Sequence, residues 1–377
     1  MGRKFKIRFR NTVKSKQPPE SVSVKSPMLK LRHDDSLHRL RKVKDATFHS
    51  MVTDPPCGLD VFKEKSKWDD DKGGKKQWIA WLQAIMTEAY RTLCPGSYSL
   101  VWSIPKTQHW TTTALENAGF EIVDVVVHLF PRSLIKGQDA SKALDGYLGL
   151  PRKTVGLNKN ARTPNTGGAG FVYNSSKYDT VSTESVSVPW EGWRSNLKPA
   201  AESWILVRKP LEGNVAENIL GYGTGGVFVG KKNVDKIQSN VVLSHDQECT
   251  KHKCIRTCLI HKLLKQNQNA LNYFRVLQPH PEQHGTPFVV DDKIGRKERG
   301  NLRHPTIKTQ KLMEFLVGLV TPPGGDVLDP FMGSGSTAVA AISLGRGFYG
   351  VEKGKEQFRE ARQRINNVVN AGKSRKL

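Results

Sequence analysis

Apolar positions follow two regimes along this chain. In "KQWIAWLQAIMTEAYRTL", Trp78, Ile79, Trp81, Leu82, Ile85, Met86, Ala89 and Leu93 recur at helical spacing. "CPG" ends that helix, and Ser97 to Ser103 reads as a strand. Ala46 to Asp54 reads as a shorter strand upstream. Downstream, a helix over Thr107–Asn117 ends at Gly119, and Phe120 to Phe130 is another strand. The same rhythm returns after residue 300. There "TQKLMEFLVGLV" is helical, "DVLDP" a strand, "TAVAAISLG" a helix closed by Gly345, and "GFYGVE" a strand. "KEQFREARQRINNVV" is a last amphipathic helix with Phe358, Ala361 and Ile365 on one face, followed by a tail expected to fray. Alternating strands and helices predict βαβ units and a parallel sheet.

From about 131 to 300 the rhythm is lost to glycine, proline, serine, asparagine and lysine. One clear strand stands out, "SWILVRKP" (Ser203 to Pro210), and "GYGTGGVFVG" reads as a flexible glycine-rich piece. A loop-rich insertion of this length is usually functional. The expected organisation is a basic arm over 1–27, a first α/β half over 28–150, the insertion over 151–300, and a second half over 301–370.

Charge narrows the function. The 377 residues carry 59 Lys and Arg against 35 Asp and Glu, a net charge of +24. An excess of that size points to a polyanionic partner, with nucleic acid the usual one. No apolar run is long enough to span a membrane. The basic N-terminus lacks the apolar core of a secretory signal, and five cysteines are an odd number, so a reducing, cytoplasmic setting is expected.

Two short motifs carry candidate chemistry. "LDPFMGSGST" (Leu328 to Thr337) is a glycine turn between a strand and a helix, which lets a ligand approach the backbone closely. Gly333 and Gly335 are present, the third fingerprint position is Ala338, and Glu352 ends the next strand, where an acid can hold a ribose diol. A Gly-x-Gly by itself is also a plain tight turn. The second motif, "TDPPCG" (Thr53 to Gly58), puts two backbone-fixing prolines behind Asp54. Alone, it too reads as a rigid turn.

Together these motifs resemble the S-adenosylmethionine-dependent DNA amino-methyltransferases, which methylate adenine N6 or cytosine N4. The order matches the permuted class, in which the catalytic motif comes first, then the target-recognition region, then the cofactor motif. The resemblance covers roughly residues 30–366, and "ESWILVRKPLEGNVAENIL" and "LIKGQDASKALDG" are similar to phage and prophage site-specific enzymes, some of restriction–modification type. It implies a doubly wound, Rossmann-like α/β sheet with an inserted target-recognition region, acting on double-stranded DNA. It implies a pocket for S-adenosylmethionine lined by Asp329, Phe331, Gly333, Gly335 and Ser336, with Glu352 on the ribose. "HDDSLHRL" places Asp35 near the cofactor adenine, and "HPTIKTQKLM" adds Thr306 and Lys308 on the cofactor side. Asp54 and the Pro55 carbonyl would accept the two amine hydrogens, held by Pro55 and Pro56. Aspartate in this motif leans towards adenine, with cytosine N4 the alternative.

Two residues depart from the pattern. Cys57 stands where the family has an aromatic that stacks on the flipped base, so base capture is weakened or supplied elsewhere, or the chain binds DNA without methylating it. Thr309 replaces a proline after Lys308. The basic clusters "LPRKTVGLNKNAR" and "GRKERGNLRH" are candidate phosphate contacts or solvated loops. Within the insertion, His245, Cys249, Cys254 and Cys258 form His-x3-Cys-x4-Cys-x3-Cys, four soft ligands suited to structural zinc, with His252 and His261 as rivals. Three reduced thiols in a basic loop are the other reading.

Overall fold

The computed structural model describes residues 27–58, 70, 72–129, 137–157, 178–197, 200–230, 239–244, 249, 254–256, 258–266, 275–277 and 307–374. The basic arm lies outside the described residues, apart from its last position. Among the described residues, no helix is long and apolar enough to cross a membrane.

One nine-stranded sheet organises the molecule. In chain order its strands are β1 (Leu29–His33), β2 (Phe48–Thr53), β3 (Leu93–Ser103), β4 (Glu121–Leu129), β7 (Ala201–Arg208), β8 (Val241–Ser244), β9 (Arg275–Leu277), β10 (Asp326–Asp329) and β11 (Gly347–Glu352). Across the sheet the order is β1-β11-β10-β2-β3-β7-β4-β8-β9. Every pairing is parallel except those of β7, which runs antiparallel to both β3 and β4. A separate hairpin pairs β5 (Arg152–Leu157) with β6 (Tyr178–Ser182).

Helices cover both faces, as a parallel sheet requires. One face carries α1 (Ser36–Leu40), α2 (Lys75–Thr92) and α3 (Gln108–Asn117). The other carries α7 (Gln310–Val320), α8 (Ser336–Ser343) and α9 (Lys355–Ser374). The period-2 alternation of strand side chains divides each central strand between the two cores. Val52, Leu100, Trp204, Leu206 and Val327 join α7, α8 and α9. Met51, Val101, Ile205, Val207 and Leu328 join α2 and α3. Trp78, Leu82, Met86 and Ala89 are fully buried, the helical stripe read from the sequence.

The structure differs from the sequence reading at several elements. β1, with the pattern Leu-Lys-Leu-Arg-His, is an edge strand whose alternating charges left little apolar content to read. β3 begins at Leu93, four residues early, because the Cys94-Pro95-Gly96 backbone continues into the strand while Gly96 adopts φ +69°. α9 runs on to Ser374 rather than fraying, with Val368 and Val369 packed against the core. The strand within the insertion, β7, is a central member of the main sheet. The glycine-rich stretch follows a helix, α5 (Val215–Tyr222), started by a reciprocal capping box between Asn214 and Glu217. Asn218 of α5 is buried and donates to the Pro95 carbonyl at 2.7 Å, docking the helix at the start of β3. The end of the first half, ahead of the insertion, also holds α4 (Ala140–Leu148), capped by Asp139.

From β10 the chain winds outward through α8 to β11; from β2 it winds the opposite way through α2 to β3. The sheet therefore reverses its direction of winding between β2 and β10. In open α/β sheets, the crevice beyond the strand C-termini at such a point is the binding site.

Candidate active site

Asp54 and the glycine turn both lie at this reversal. β2 and β10 are paired, with Val327 opposite Ser50 and Leu328 opposite Met51. Adjacent strands lie about 4.8 Å apart, so the residues leaving their C-terminal ends face each other across one strand spacing. Thr53 closes the seam, donating from Oγ1 to Asp329 Oδ1 at 2.7 Å. Beyond it, Ser36 donates to the Pro330 carbonyl at 2.6 Å, which ties the start of α1 to the same turn.

The proline motif is anchored on its far side. Thr107 Oγ1 donates to the Cys57 carbonyl at 2.9 Å. Gly58 adopts φ +68°, and a Cβ there would stand 2.7 Å from Trp78 Nε1, so the backbone rests against the indole. Pro55 is buried, while Asp54, Pro56 and Cys57 are half-buried. The Cys57 backbone is thus fixed independently of its side chain.

Lys308 touches both sides of the crevice: its carbonyl accepts from Ser336 Oγ of the glycine turn at 3.3 Å. Its Nζ lies 3.2 Å from Asp54 Oδ2 and 3.7 Å from Glu202 Oε2, and stands over the Trp102 ring, 3.8 Å from its centre. Burial pulls the Lys308 ammonium's pKa down, but Asp54 and Glu202 outweigh that pull, and the net shift is upward. The cation is therefore firmly charged. Nearby His128 is buried on β4, and desolvation lowers its pKa to about 4, with Glu202 opposing and Lys308 reinforcing the fall. It is neutral at physiological pH. Glu202, His128 and Trp102 were not singled out from the sequence. Glu202 and Trp102 lie on β7 and β3, which only the sheet pairing brings together, and the only local cue was an acid opening the apolar run of β7.

On the turn itself, Gly333 and Gly335 have φ of +49° and +76°, conformations open to glycine. A Cβ at Gly335 would meet Ile365 of α9 at 3.1 Å, so this glycine also lets the last helix close on the turn. Ser336 opens α8 and accepts from Arg364 at 2.9 Å, and Arg364 also donates to the Ser334 carbonyl. Phe331 is half-buried, its ring 5.7 Å from that of Trp81. Asp329 is buried; desolvation pushes its carboxyl pKa up to about 7, against hydrogen bonds from Thr53, Thr337 and the Phe331 N–H, while Asp54 adds to the rise.

Glu352, at the end of β11, accepts from the Gly333 N–H at 2.9 Å and the Gly354 N–H at 2.7 Å. Burial raises its pKa, and these two N–H groups offset part of the rise. The carboxylate is locked in orientation with further lone-pair positions available, as a ribose diol requires. Asp35 sits next to this strand end. It caps α1 by accepting from the Leu37 and His38 N–H groups, and its other oxygen pairs with Lys353 at 3.2 Å. Thr306 lies outside the described residues. Thr309 directly precedes α7, with no side-chain cap bond, and its buried hydroxyl finds no partner among the described residues.

Arg152, at the start of one predicted phosphate-binding cluster, is turned inward. It pairs with the buried Asp145 and with Glu191, so its charge is satisfied within the protein. The rest of that cluster beyond residue 157, and the whole of "GRKERGNLRH", lie outside the described residues. Of the proposed metal ligands, Cys249, Cys254 and Cys258 come together, whereas His245 and the rival His252 are outside the described residues. His261, on α6 (Leu259–Gln266), does not join the three sulfurs.

The chain is similar to several known proteins. The type II methyltransferase M.HindIII of Haemophilus influenzae is 23% identical over 365 residues, spanning 88% of this chain and 94% of its own. M2.DpnII of Streptococcus pneumoniae is 44% identical over 63 residues, 17% of this chain and 24% of that protein. Among solved structures, the M1.HpyAVI–SAM complex is 16% identical, covering 90% of this chain and all of its own, with a TM-score of 0.42. The cytosine-N4-specific PvuII methyltransferase is 14% identical, covering 92% of this chain and 94% of its own, with a TM-score of 0.46. Residues 48–363, which run from the strand before Asp54 into the last helix, match the N6/N4 DNA methylase family model, and this chain is a member of that family of DNA methyltransferases.

Proposed function

We propose that the protein transfers a methyl group from S-adenosylmethionine to the N6 amine of adenine in duplex DNA. The observation that carries this reading is the seam between β2 and β10: Thr53, beside Asp54, is hydrogen-bonded to Asp329, which leads into the glycine turn. An acceptor for an amine and a turn suited to a cofactor share one crevice.

The residues present fit the cofactor. The glycines at positive φ and the orientation-locked Glu352 suit a nucleoside with a charged tail, and Phe331 offers a partly open ring edge. When bound, S-adenosylmethionine supplies an electrophilic methyl group with its own leaving group. An aromatic amine is a poor nucleophile because its lone pair is delocalised into the ring. Asp54 and the Pro55 carbonyl accept its two hydrogens, which returns electron density to nitrogen. Pro55 and Pro56 fix the dihedrals, so these acceptors are preorganised. Lys308 anchors the Oδ2 side of the carboxylate and so sets its plane. A paired base cannot reach this crevice, so the adenine is flipped out of the helix at a cost of a few kcal/mol. The net charge of +24 supports phosphate binding, and the 151–300 stretch is the proposed site of target reading.

Purified protein incubated with labelled S-adenosylmethionine and unmethylated duplex DNA, followed by digestion to nucleosides, tests the reading. N6-methyladenine is expected, and its loss in Asp54→Ala. Label on N4-methylcytosine would replace adenine by cytosine. No transfer by a folded, cofactor-binding protein would leave a DNA binder without catalysis.

A further inference from the structure

We infer that Cys249, Cys254 and Cys258 hold a structural zinc ion beside β8, next to the β9 edge of the sheet. The inference is independent of which base is methylated. Their three sulfurs lie within 4.8 Å of one another, and Cys249 Sγ is 3.5 Å from Cys254 Sγ. Thiolates bound at about 2.3 Å in a tetrahedral zinc site stand about 3.8 Å apart, so the cluster is close to the size zinc needs. A disulfide needs about 2.0 Å, and none of the three cysteines is in one.

Their surroundings support a cation over buried thiols. Cys249 and Cys258 are almost wholly buried, with Leu243 and Ile260 in the same small cluster. Leu129, Val241, Ile255, Leu259 and Leu263 pack around it. The contrast is Cys94, a buried cysteine of β3 that donates to the Ala46 carbonyl at 3.3 Å and has no second thiol beside it.

The site also has a structural task. Among the described residues, four buried residues form this satellite core, a small patch for burial alone to hold the start of α6. A metal bound before and at the start of α6 would clamp that segment against β8, which pairs in turn with β4. Three thiolates leave one position for a nitrogen ligand or water, and no catalytic role is assigned.

Metal analysis of the full-length protein purified without chelator should give one zinc per chain. Cys254→Ser, the change at the least buried thiol, should lower that content at least tenfold, while Cys94→Ala should keep it. In case Cys254→Ser misfolds, cobalt can be exchanged into the unaltered protein. Thiolate-to-cobalt charge-transfer bands with tetrahedral d–d absorption support the site. Zinc-free folded protein, or a disulfide within the cluster by mass spectrometry, would overturn it.

Discussion

Thr53 and Asp329, 276 positions apart in the chain, meet in a buried hydrogen bond of 2.7 Å that joins the acceptor strand to the cofactor-turn strand. Thr53→Val keeps the side-chain shape and the β-branched strand preference but removes the donor. Losing one partner of a buried charged or polar group costs about 1–3 kcal/mol. Urea denaturation should show a loss in that range. An unchanged midpoint would mean that the seam is held by strand pairing alone.

Lys308 reaches both halves of the crevice. The resemblance assigns it to the cofactor side, where its carbonyl accepts from Ser336, while its ammonium lies against Asp54 and Glu202. Lys308→Met retains much of the aliphatic stem over Trp102 and deletes the charge. A charge-assisted hydrogen bond is worth about 1.5–3 kcal/mol, so kcat should fall roughly 10- to 100-fold. Calorimetric affinity for S-adenosylmethionine should stay within a few-fold. A loss confined to cofactor affinity, with kcat intact, would assign the side chain to the cofactor rather than to Asp54.

The two ends of the chain were legible because their helices and strands keep clean periods. Trp78, Leu82, Ile85 and Met86 mark the buried face of α2, and Val327 and Leu328 mark a strand buried on both sides. The glycine turn and the proline motif carry local backbone demands that leave a trace in residue type. The Asp54–Lys308–Glu202 cluster leaves no such trace. Its members come from β2, β7 and the segment before α7, and they meet only because β7 enters the sheet antiparallel between β3 and β4. Arg152 shows the converse: a basic residue in a basic run reads as surface charge, yet Asp145 and Glu191 bind it internally. The capping box of α5 was present in the sequence as Asn214 and Glu217, but the glycines that follow obscured it.

Cys57 offers a gain-of-function test. Its carbonyl is held by Thr107 and the next residue rests on Trp78, so the backbone should keep its path when the side chain grows. Cys57→Tyr restores a stacking surface beside Asp54. Base–aromatic stacking contributes about 1–3 kcal/mol, so KM for DNA should fall about fivefold or more. An unaltered KM, with the variant folded, would indicate that another aromatic already captures the base.

Asp329 makes stability depend on pH in a direction opposite to most carboxylates. Its folded pKa, about 7, lies above the ordinary value of 3.8 because burial disfavours the charged form. Between those values the native state holds a proton that the unfolded chain has released. Stability therefore falls as pH rises through that window and levels off above about 7. Asp329→Asn retains an oxygen to accept from Thr53 and the Phe331 N–H but does not titrate. Its melting temperature relative to the unaltered protein should rise between pH 5 and about pH 7 and then level off, by an amount on the order of a few kcal/mol in stability. Thermal denaturation at four or five pH values measures this. A difference independent of pH would place the Asp329 pKa below the range, and burial of its charge would then have to be offset by the three hydrogen bonds alone.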